Sequence, residues 1–318
     1  MEWRRKNAEV PHIKGHMGGN TIALLPGTEI SEEALLEKVA LALQDTHLCC
    51  HESGIIYPSS DKAKIRVRIV GRASKKFISA CGGLTQVLGA AIGSGEFLAN
   101  FGFGPPGPLT LALETDGGLV TLEIQLDQNT LTTKTDMTSF LNELRQDGIE
   151  PIELNGIKAV RAGKFLVLCA DELMSRFNPS EIQELSPQVR GVLSKLQRIF
   201  LDKYPKAGLD FALHDLHPER PGNFGRVVFP HCLPAGLIEP SCGTGTVAIC
   251  AALELFGLSN TAGSSEELSV KFESGGGPYL GGPDVTTAFM HINGGKIEKI
   301  WFSHSKVEIT SKGKVILG

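Results

Sequence analysis

The chain lacks the marks of several whole classes of protein. No apolar run reaches the ~20 residues that a membrane-spanning helix needs; the longest stretches, such as Thr246 to Leu258, are interrupted by a charge at Glu254. The first residues carry charge but no apolar core of a secretory signal, so a cytoplasmic protein is expected. Beyond Arg4, Arg5 and Lys6, which read as a solvated tail, there is no basic block, and the formal net charge is −4. Neither nucleic acid nor a membrane surface is therefore an expected partner. Seven cysteines form an odd set without the spacing of a disulfide framework, which fits a reducing compartment. Cys49 and Cys50 are adjacent, a poor arrangement for a bridge or a chelate, and read as two thiols on a loop or strand edge; Cys232 and Cys250 sit in apolar contexts and read as packing residues. Cofactor signals are equally thin. Gly93-Ser94-Gly95 has neither the preceding strand nor the later glycine of a dinucleotide loop, and His214-x-x-His217 with Asp215 runs into Pro218 and Pro221 without a third ligand at a supporting spacing. No metal and no cofactor are expected.

What is present is a soluble composition on a chain long enough for two cores. At 318 residues, 42% of them hydrophobic, a division into two domains of about 150 residues is the natural expectation. Ser31 followed by Glu32 and Glu33 makes an N-cap and an acidic first turn, after which Leu35, Leu36, Val39 and Leu43 share one helical face. Ile65, Val67 and Ile69 alternate with Arg66 and Arg68, the pattern of a half-buried strand. Residues from Leu84 to Leu98 are small or apolar on every side and predict a helix buried all round, ended by the glycine- and proline-rich segment from Phe101 to Pro108. Leu109, Leu111 and Leu113, then Asp116-Gly117, then Val120, Leu122, Ile124 and Leu126 spell a β-hairpin. The polar interval Asp127 to Asp136 is the candidate crossover between halves. Beyond it come a strand at Phe165 to Cys169, helical material from Ser180 to Tyr204, and strands at Arg226 to Phe229, Leu268 to Phe272, Val285 to Ile292 and Lys296 to Trp301. Together these predict an α+β protein in which a curved sheet wraps a central helix, built twice.

Two cysteine motifs mark the two halves. Cys81-Gly82-Gly83-Leu84-Thr85 and Cys242-Gly243-Thr244-Gly245-Thr246 each open an apolar helical run. Aligned on the cysteines, Gly82 falls on Gly243, Thr85 on Thr246, Ala90 on Ala251 and Ala91 on Ala252, while Leu88 and Ile92 meet Ile249 and Leu253. A thiol at a helix N-terminus feels the positive end of the macrodipole and can accept bonds from first-turn N–H groups, which predicts a lowered pKa. Two such thiols facing one cavity could serve as base and acid on opposite faces of one carbon; the bland alternative is a pair of structural thiols.

The stretch Pro240-Ser241-Cys242-Gly243-Thr244-Gly245-Thr246 resembles the second cysteine motif of the proline racemase and diaminopimelate epimerase superfamily, and Ala80-Cys81-Gly82-Gly83 resembles its first. Lys14-Gly15-His16-Met17-Gly18-Gly19-Asn20 is similar to the superfamily's early glycine-asparagine segment, with weaker similarity at Ala162-Gly163-Lys164-Phe165 and along the last strands through Trp301 to Leu317. The resemblance implies a diaminopimelate epimerase-like fold of two similar domains: residues 1–130, joined by the last strands at 306–318, and residues 131–305. It also implies an active site in the interdomain cleft, no cofactor, and Cys81 and Cys242 as the catalytic pair for a proton transfer at Cα. The substrate carboxylate would be held by the helix N-termini at Gly82, Gly83, Gly243 and Thr244. Asn20 would contact substrate or serve as a turn residue; Lys164 would pair with an acidic substrate group or be a solvated or salt-bridged lysine; Glu239 would neighbour the second cysteine or be a loop carboxylate.

Departures from the family pattern limit the substrate. Gly83 stands where diaminopimelate epimerases carry asparagine and proline racemases histidine, Lys164 where relatives carry a substrate-contacting asparagine, and Glu239 is only a displaced counterpart of an acidic residue before the second cysteine. Cys81-Gly82-Gly83-Leu84-Thr85 is also similar to the first motif of the methylaconitate isomerase branch, which shifts a double bond. The expectation is an amino-acid racemase or epimerase. The alternatives are an allylic isomerase of an unsaturated carboxylic acid and a non-catalytic small-molecule binding protein on the same scaffold. The expected partners are a small carboxylate substrate and at most a second copy of the chain as a homodimer.

Overall fold

The computed structural model describes residues 8–27, 32–44, 48–57, 64–72, 74–95, 109–127, 130–178, 181–182, 186–205, 210–231, 237–257, 265–274 and 284–317. The tail at Arg4, Arg5 and Lys6, the Ser31 cap, the Phe101 to Pro108 segment, Ser180 and Cys232 lie outside them. By its contacts the chain forms two compact units, Met1–Thr135 with Lys306–Gly318, and Asp136–Ser305. No helix among the described residues is long and apolar enough to cross a membrane.

The first unit contains β1 (Ala8–Met17), β2 (Asn20–Pro26), α1 (Glu32–Gln44), β3 (Glu52–Tyr57), β4 (Lys64–Gly71), β5 (Lys76–Ile78), α2 (Gly82–Gly93), β6 (Leu109–Thr115), β7 (Gly118–Asp127), β8 (Thr130–Asp136) and, from the far end of the chain, β18 (Val307–Leu317). Its strands pair in the order β18-β1-β2-β3-β4-β6-β7-β8, with β5 hydrogen-bonded to the end of β4. Only β2–β3 and β4–β6 are parallel, and these are the pairs whose connections contain α1 and α2. A parallel pair needs a crossover, and a helix supplies it. The sheet curls far enough that β18 and β1 at one end and β7 at the other all touch α2.

Period-two alternation in the strands feeds two cores. On β2, Ile22 and Leu24 join Leu84, Val87 and Leu88 of α2, while Ala23 and Leu25 turn to the other face and meet Leu35, Val39 and Leu43 of α1. Every residue of α2 is buried, as its all-round apolar composition predicts. The helix is shorter than the sequence pattern, though: it stops at Gly93, where Ser94 bonds back to Ala90 and Gly95 adopts φ +77°. A left-handed glycine ends a helix at little steric cost.

The second unit contains α3 (Thr138–Asp147), β9 (Ile149–Leu154), β10 (Ile157–Ala162), β11 (Phe165–Cys169), α4 (Asp171–Met174), α5 (Pro187–Lys203), β12 (Asp210–Asp215), β13 (Gly225–His231), β14 (Leu237–Glu239), α6 (Gly243–Glu254), β15 (Ser265–Ser274), β16 (Asp284–Asn293) and β17 (Lys296–His304). Its order is β9-β10-β11-β12-β13-β15-β16-β17, and the succession of parallel and antiparallel pairs is the same as in the first unit. Here α6 takes the place of α2, touching β10, β11, β12, β16 and β17. A separate apolar layer forms where Val189, Leu193, Leu196 and Phe200 of α5 pack on Leu166, Leu168, Phe211 and Leu213. The expected crossover at Asp127 to Asp136 is instead mostly strand: β8 continues the sheet antiparallel to β7. Its threonines are polar yet Thr133 and Thr135 are buried against α2: Thr133 lies over Gly89, and Thr135 bonds to Thr85 and Gln86.

That close approach yields a prediction. An Ala in place of Gly in a helix interior ordinarily stabilises by about 1 kcal/mol. At Gly89, however, a Cβ would overlap the side chain of Thr133, and overpacking costs about 1–3 kcal/mol. Gly89→Ala is therefore expected to lower the urea midpoint of unfolding, and Thr133→Ala should restore part of the loss in the double variant, since the Cβ at 133 would still stand 2.9 Å away.

Candidate active site

Each buried helix begins at a cysteine. Cys81 has extended backbone angles (φ −151°, ψ 111°) and its Sγ accepts from the N–H of Leu84 at 3.3 Å; Cys242 (φ −138°, ψ 114°) accepts from Gly245 N–H at the same 3.3 Å. Both are N-caps, and both have their carbonyl taken by the helix, from Thr85 and Thr246. The threonines at these matched positions also bond backward through their hydroxyls, Thr85 to Gly82 O and Thr246 to Cys242 O, each at 2.8 Å. The first-turn N–H groups of Gly82 and Gly83, and of Gly243 and Thr244, lie outside the helices' own bonding ladder, as in any α-helix.

Around Cys81 the structure brings together residues that the sequence scatters. The β1–β2 hairpin turns on Gly18 and Gly19, both at positive φ (53° and 95°), a two-residue turn that non-glycine residues rarely make. It places Asn20 at the start of β2, fully buried and over the first turn of α2: a Cβ at Gly83 would stand 3.3 Å from Asn20 Nδ2. Asn20 and Gly83 are thus neighbours. His16 supports the turn, accepting from Gly19 N–H at 3.3 Å through Nδ1 and meeting Glu308 at 3.4 Å through Nε2. That ring and Glu308 were not singled out in the sequence, where nothing links positions almost a chain length apart. Behind the helix start, Thr85, Gln86 and Thr135 form a buried polar cluster, with Thr135 Oγ1 at 2.8 Å from Thr85 Oγ1 and 2.9 Å from Gln86 Nε2.

Around Cys242 the groups are of a different kind. Thr244 Oγ1 lies 3.2 Å from the sulfur. Ser241, Ser274 and Thr286 form a buried hydroxyl chain, at 3.4 and 2.7 Å. Phe229 fills the space beside Gly245. Lys164, in the β10–β11 turn, is partly exposed and pairs with Asp210 at 3.3 Å. Both Asp210 and Glu239 act electrostatically on the Cys242 thiol. Asp210 had no sequence signal beyond being a carboxylate at a strand start.

The lowered pKa that the helix terminus predicts is not found at Cys242. Burial pushes its thiol well above the usual cysteine range, Glu239 adds to that, and the bonds from Thr244 and Gly245 only partly offset it. The macrodipole and its N–H groups are outweighed because the sulfur is buried with a carboxylate nearby. Cys242 is thus protonated at neutral pH. The other described cysteines fit packing or surface roles: Cys250 is fully buried and pushed up to about 12, Cys50 is buried, Cys169 is half-buried at the end of β11 and pushed up to about 11 by burial, and Cys49 is exposed with φ +41°.

A raised pKa makes a thiol slow towards alkylation below that pKa, since only the thiolate reacts. Iodoacetamide labelling of Cys242, followed by peptide mass spectrometry, should therefore be slow at pH 7.5 and accelerate steadily up to pH 10. Glu239→Gln removes a negative charge and should raise the labelling rate at fixed pH by about threefold to tenfold, the size of one partly screened charge. An unchanged or slower rate would contradict the electrostatic assignment.

No family profile and no curated protein sequence matches this chain. Solved structures do match it in fold over nearly its whole length. A hydroxyproline epimerase from Agrobacterium vitis, with bound trans-4-OH-L-proline, superposes with a TM-score of 0.62 at 16% identity, covering 100% of this chain and 94% of the other. A probable proline racemase from Agrobacterium radiobacter K84, with bound carbonate, gives 0.63 at 14%, covering 97% and 93%. A methylitaconate-delta-isomerase gives 0.58 at 13%, covering 97% and 95%. At such identities the likeness establishes the fold, the one expected from the two cysteine motifs.

Proposed function

We propose that this chain is a cofactor-independent isomerase, a racemase or epimerase that exchanges the Cα proton of an amino acid through the thiols of Cys81 and Cys242. The observation that carries this reading is the repetition of one device: in each unit a cysteine caps the N-terminus of a helix buried along all or nearly all of its length, with its sulfur bonded to the first turn. The folds of the hydroxyproline epimerase and the probable proline racemase support it, since both names describe inversion at carbon.

The chemistry balances without an outside reagent. One cysteine, as thiolate, takes the proton from Cα; the Cα–H pair becomes a carbanion-like centre conjugated with the carboxylate, and the second thiol delivers its own proton to the opposite face. The protein ends with the protonation states of its two sulfurs exchanged. Cys242, held protonated by burial, enters as the acid and Cys81 as the base in the first direction. First-turn N–H groups at Gly82, Gly83, Gly243 and Thr244 suit a carboxylate, and helix N-termini offset the charge that accumulates on it. Asn20, buried beside Gly83, would orient the same group.

The carboxylates near Cys242 favour a substrate that carries a cation. An α-ammonium beside Glu239 would relieve the negative field at the sulfur and lower its pKa, which the reverse direction requires. An unsaturated di- or tricarboxylic acid would bring more negative charge to that place. The second reading, an allylic isomerase, rests on the Gly83-Leu84-Thr85 context after Cys81 and on the fold shared with the methylitaconate-delta-isomerase. A binding protein without turnover would have no use for two capping thiols.

Incubation in deuterated water with pooled amino acids, and separately with unsaturated di- and tricarboxylic acids, separates these readings. Solvent deuterium is expected at Cα of an amino acid, with loss of about 10³-fold or more in Cys81→Ala and in Cys242→Ala, and a severe defect in the serine variants because a hydroxyl is too weak an acid. Cα labelling that survives both alanine substitutions would remove the cysteines from the mechanism. Labelling confined to the γ-carbon of unsaturated acids would establish the allylic reading.

A further inference from the structure

The hairpin that delivers Asn20 is gripped by a group that can take up a proton. His16 lies opposite Glu308 on β18 and opposite Thr21 on β2. It is buried; its Nδ1 accepts from Gly19 N–H at 3.3 Å, and its Nε2 stands 3.4 Å from a Glu308 carboxylate oxygen. A ring nitrogen that accepts carries no proton, so the neutral ring holds its one proton on Nε2, towards Glu308. A protonated ring has no acceptor at all, and the bond from Gly19 is then lost.

The second unit repeats this frame with a different group in it. Arg161 holds the place in the β10–β11 hairpin that His16 holds in the β1–β2 hairpin, one residue before the pair that closes the turn. It lies opposite Glu150 on β9 and pairs with it at 3.1 Å. In both units the first turn glycine donates to the residue just before the outer strand, Gly18 to Lys306 O and Gly163 to Gly148 O, each at 2.9 Å. Arginine is a permanent cation with donors only. Its position therefore cannot hold the second turn residue by accepting, and does not change with pH.

We propose that His16 is a positioning residue of the candidate active site: its neutral ring holds the Gly18-Gly19 turn in the form that seats Asn20 over the start of α2, and protonation of the ring releases that hold.

The two glycines have no side chains to fix the turn, and both sit at positive φ, so its form depends on the bonds made to it. Gly18 keeps its bond to Lys306 O in either state of the ring, whereas Gly19 keeps its bond only while Nδ1 is bare. Asn20 follows directly and is buried against Gly83, where a small rotation of the turn changes the direction of its amide. His16 is on the opposite side of β1 from Gly15, which lies against Val87 of α2, so it acts through the turn. Glu308 favours a proton on the ring, and Lys14, two residues back on the same side of β1, opposes it. From β2 comes Thr21, whose hydroxyl lies 2.9 Å from His51 Nδ1; beyond Lys14 on β1 stands His12, its pKa lowered by burial and by Lys14.

Only the effect of Asn20 on a substrate rests on the isomerase reading; the coupling of ring to turn does not. NMR of the isotope-labelled full-length chain between about pH 5 and 8 reads that coupling, with the rings of His12 and His51 followed in the same spectra. The Gly19 backbone amide and the Asn20 side-chain amide are expected to shift with the midpoint of the His16 ring. In His16→Asn, whose Oδ1 can replace Nδ1 as acceptor but does not titrate, both signals should stay near the parent's high-pH positions; in His16→Arg both should stay near its low-pH positions. In the Cα exchange assay KM for the amino acid should rise about three- to tenfold as pH falls through that midpoint, the worth of one hydrogen bond, with kcat little changed, and His16→Asn should keep the low KM throughout. A chain that exchanges no amino acid would refute the isomerase reading, while the amide titration still decides the role of His16. A ring that takes up no proton in this range, or that titrates while the Gly19 and Asn20 amides stay still, would overturn the proposal, and so would parent-like pH dependence in His16→Asn.

Discussion

The structure depends on enclosing a helix within a sheet. Every residue of α2 is buried, and α6 is buried along nearly its whole length, so their side chains are mostly small or apolar, and the one large polar group, Gln86, is bonded to Thr135. The helix ends are where polar backbone must still be satisfied. Good N-caps are Ser, Thr, Asp and Asn, worth about 1 kcal/mol over a poor one, whereas a thiol is a weak acceptor. Cysteine in both cap positions is therefore not explained by helix stability. Under the proposed isomerase reading it is explained by the proton chemistry of a sulfur.

Two effects compete at those sulfurs. The helix terminus favours a thiolate by about 0.3–2 kcal/mol, whereas full burial can shift a pKa by up to 3–5 units, each unit about 1.4 kcal/mol. At Cys242 burial dominates and the carboxylate of Glu239 acts in the same direction. A thiol kept protonated is suited to giving up a proton, and the same burial strengthens any charge that a ligand brings beside it.

The two units repeat a topology but not their polar equipment. The two-residue turn entering β2 carries Gly18 and Gly19 and delivers Asn20, supported by His16 and Glu308. The matching turn entering β11 carries Gly163 and Lys164 and delivers Phe165, with Lys164 paired to Asp210. One helix start is thus overlooked by a neutral amide and the other stands among charged groups. The two units supply equivalent frames, and the side chains at corresponding turns differ.

Local pattern alone determined a good part of this protein: the hairpin at Asp116-Gly117, the apolar helices behind Cys81 and Cys242, the strands from Leu268 onward, and the pairing of two like halves. Each of these is written in short-range periodicity, turn chemistry or a repeated motif, which neighbouring residues decide among themselves. β1 escaped notice because its two faces are both covered: Val10 joins one core and Ile13 the other, and a bulge at Lys14 and Gly15 shifts the register. Full coverage erases the alternation that marks a half-buried strand. α3 was hidden in a polar stretch by a face of only Phe140, Leu141 and Leu144. Only the tertiary structure could place Asn20 over Gly83, Glu308 against His16, Asp210 within reach of Cys242, or Asp171 beside His217. Those proximities come from strand pairing between distant segments, and so does the burial that sets the Cys242 thiol, since both a neighbour's charge and the loss of water depend on what the rest of the chain brings to the spot.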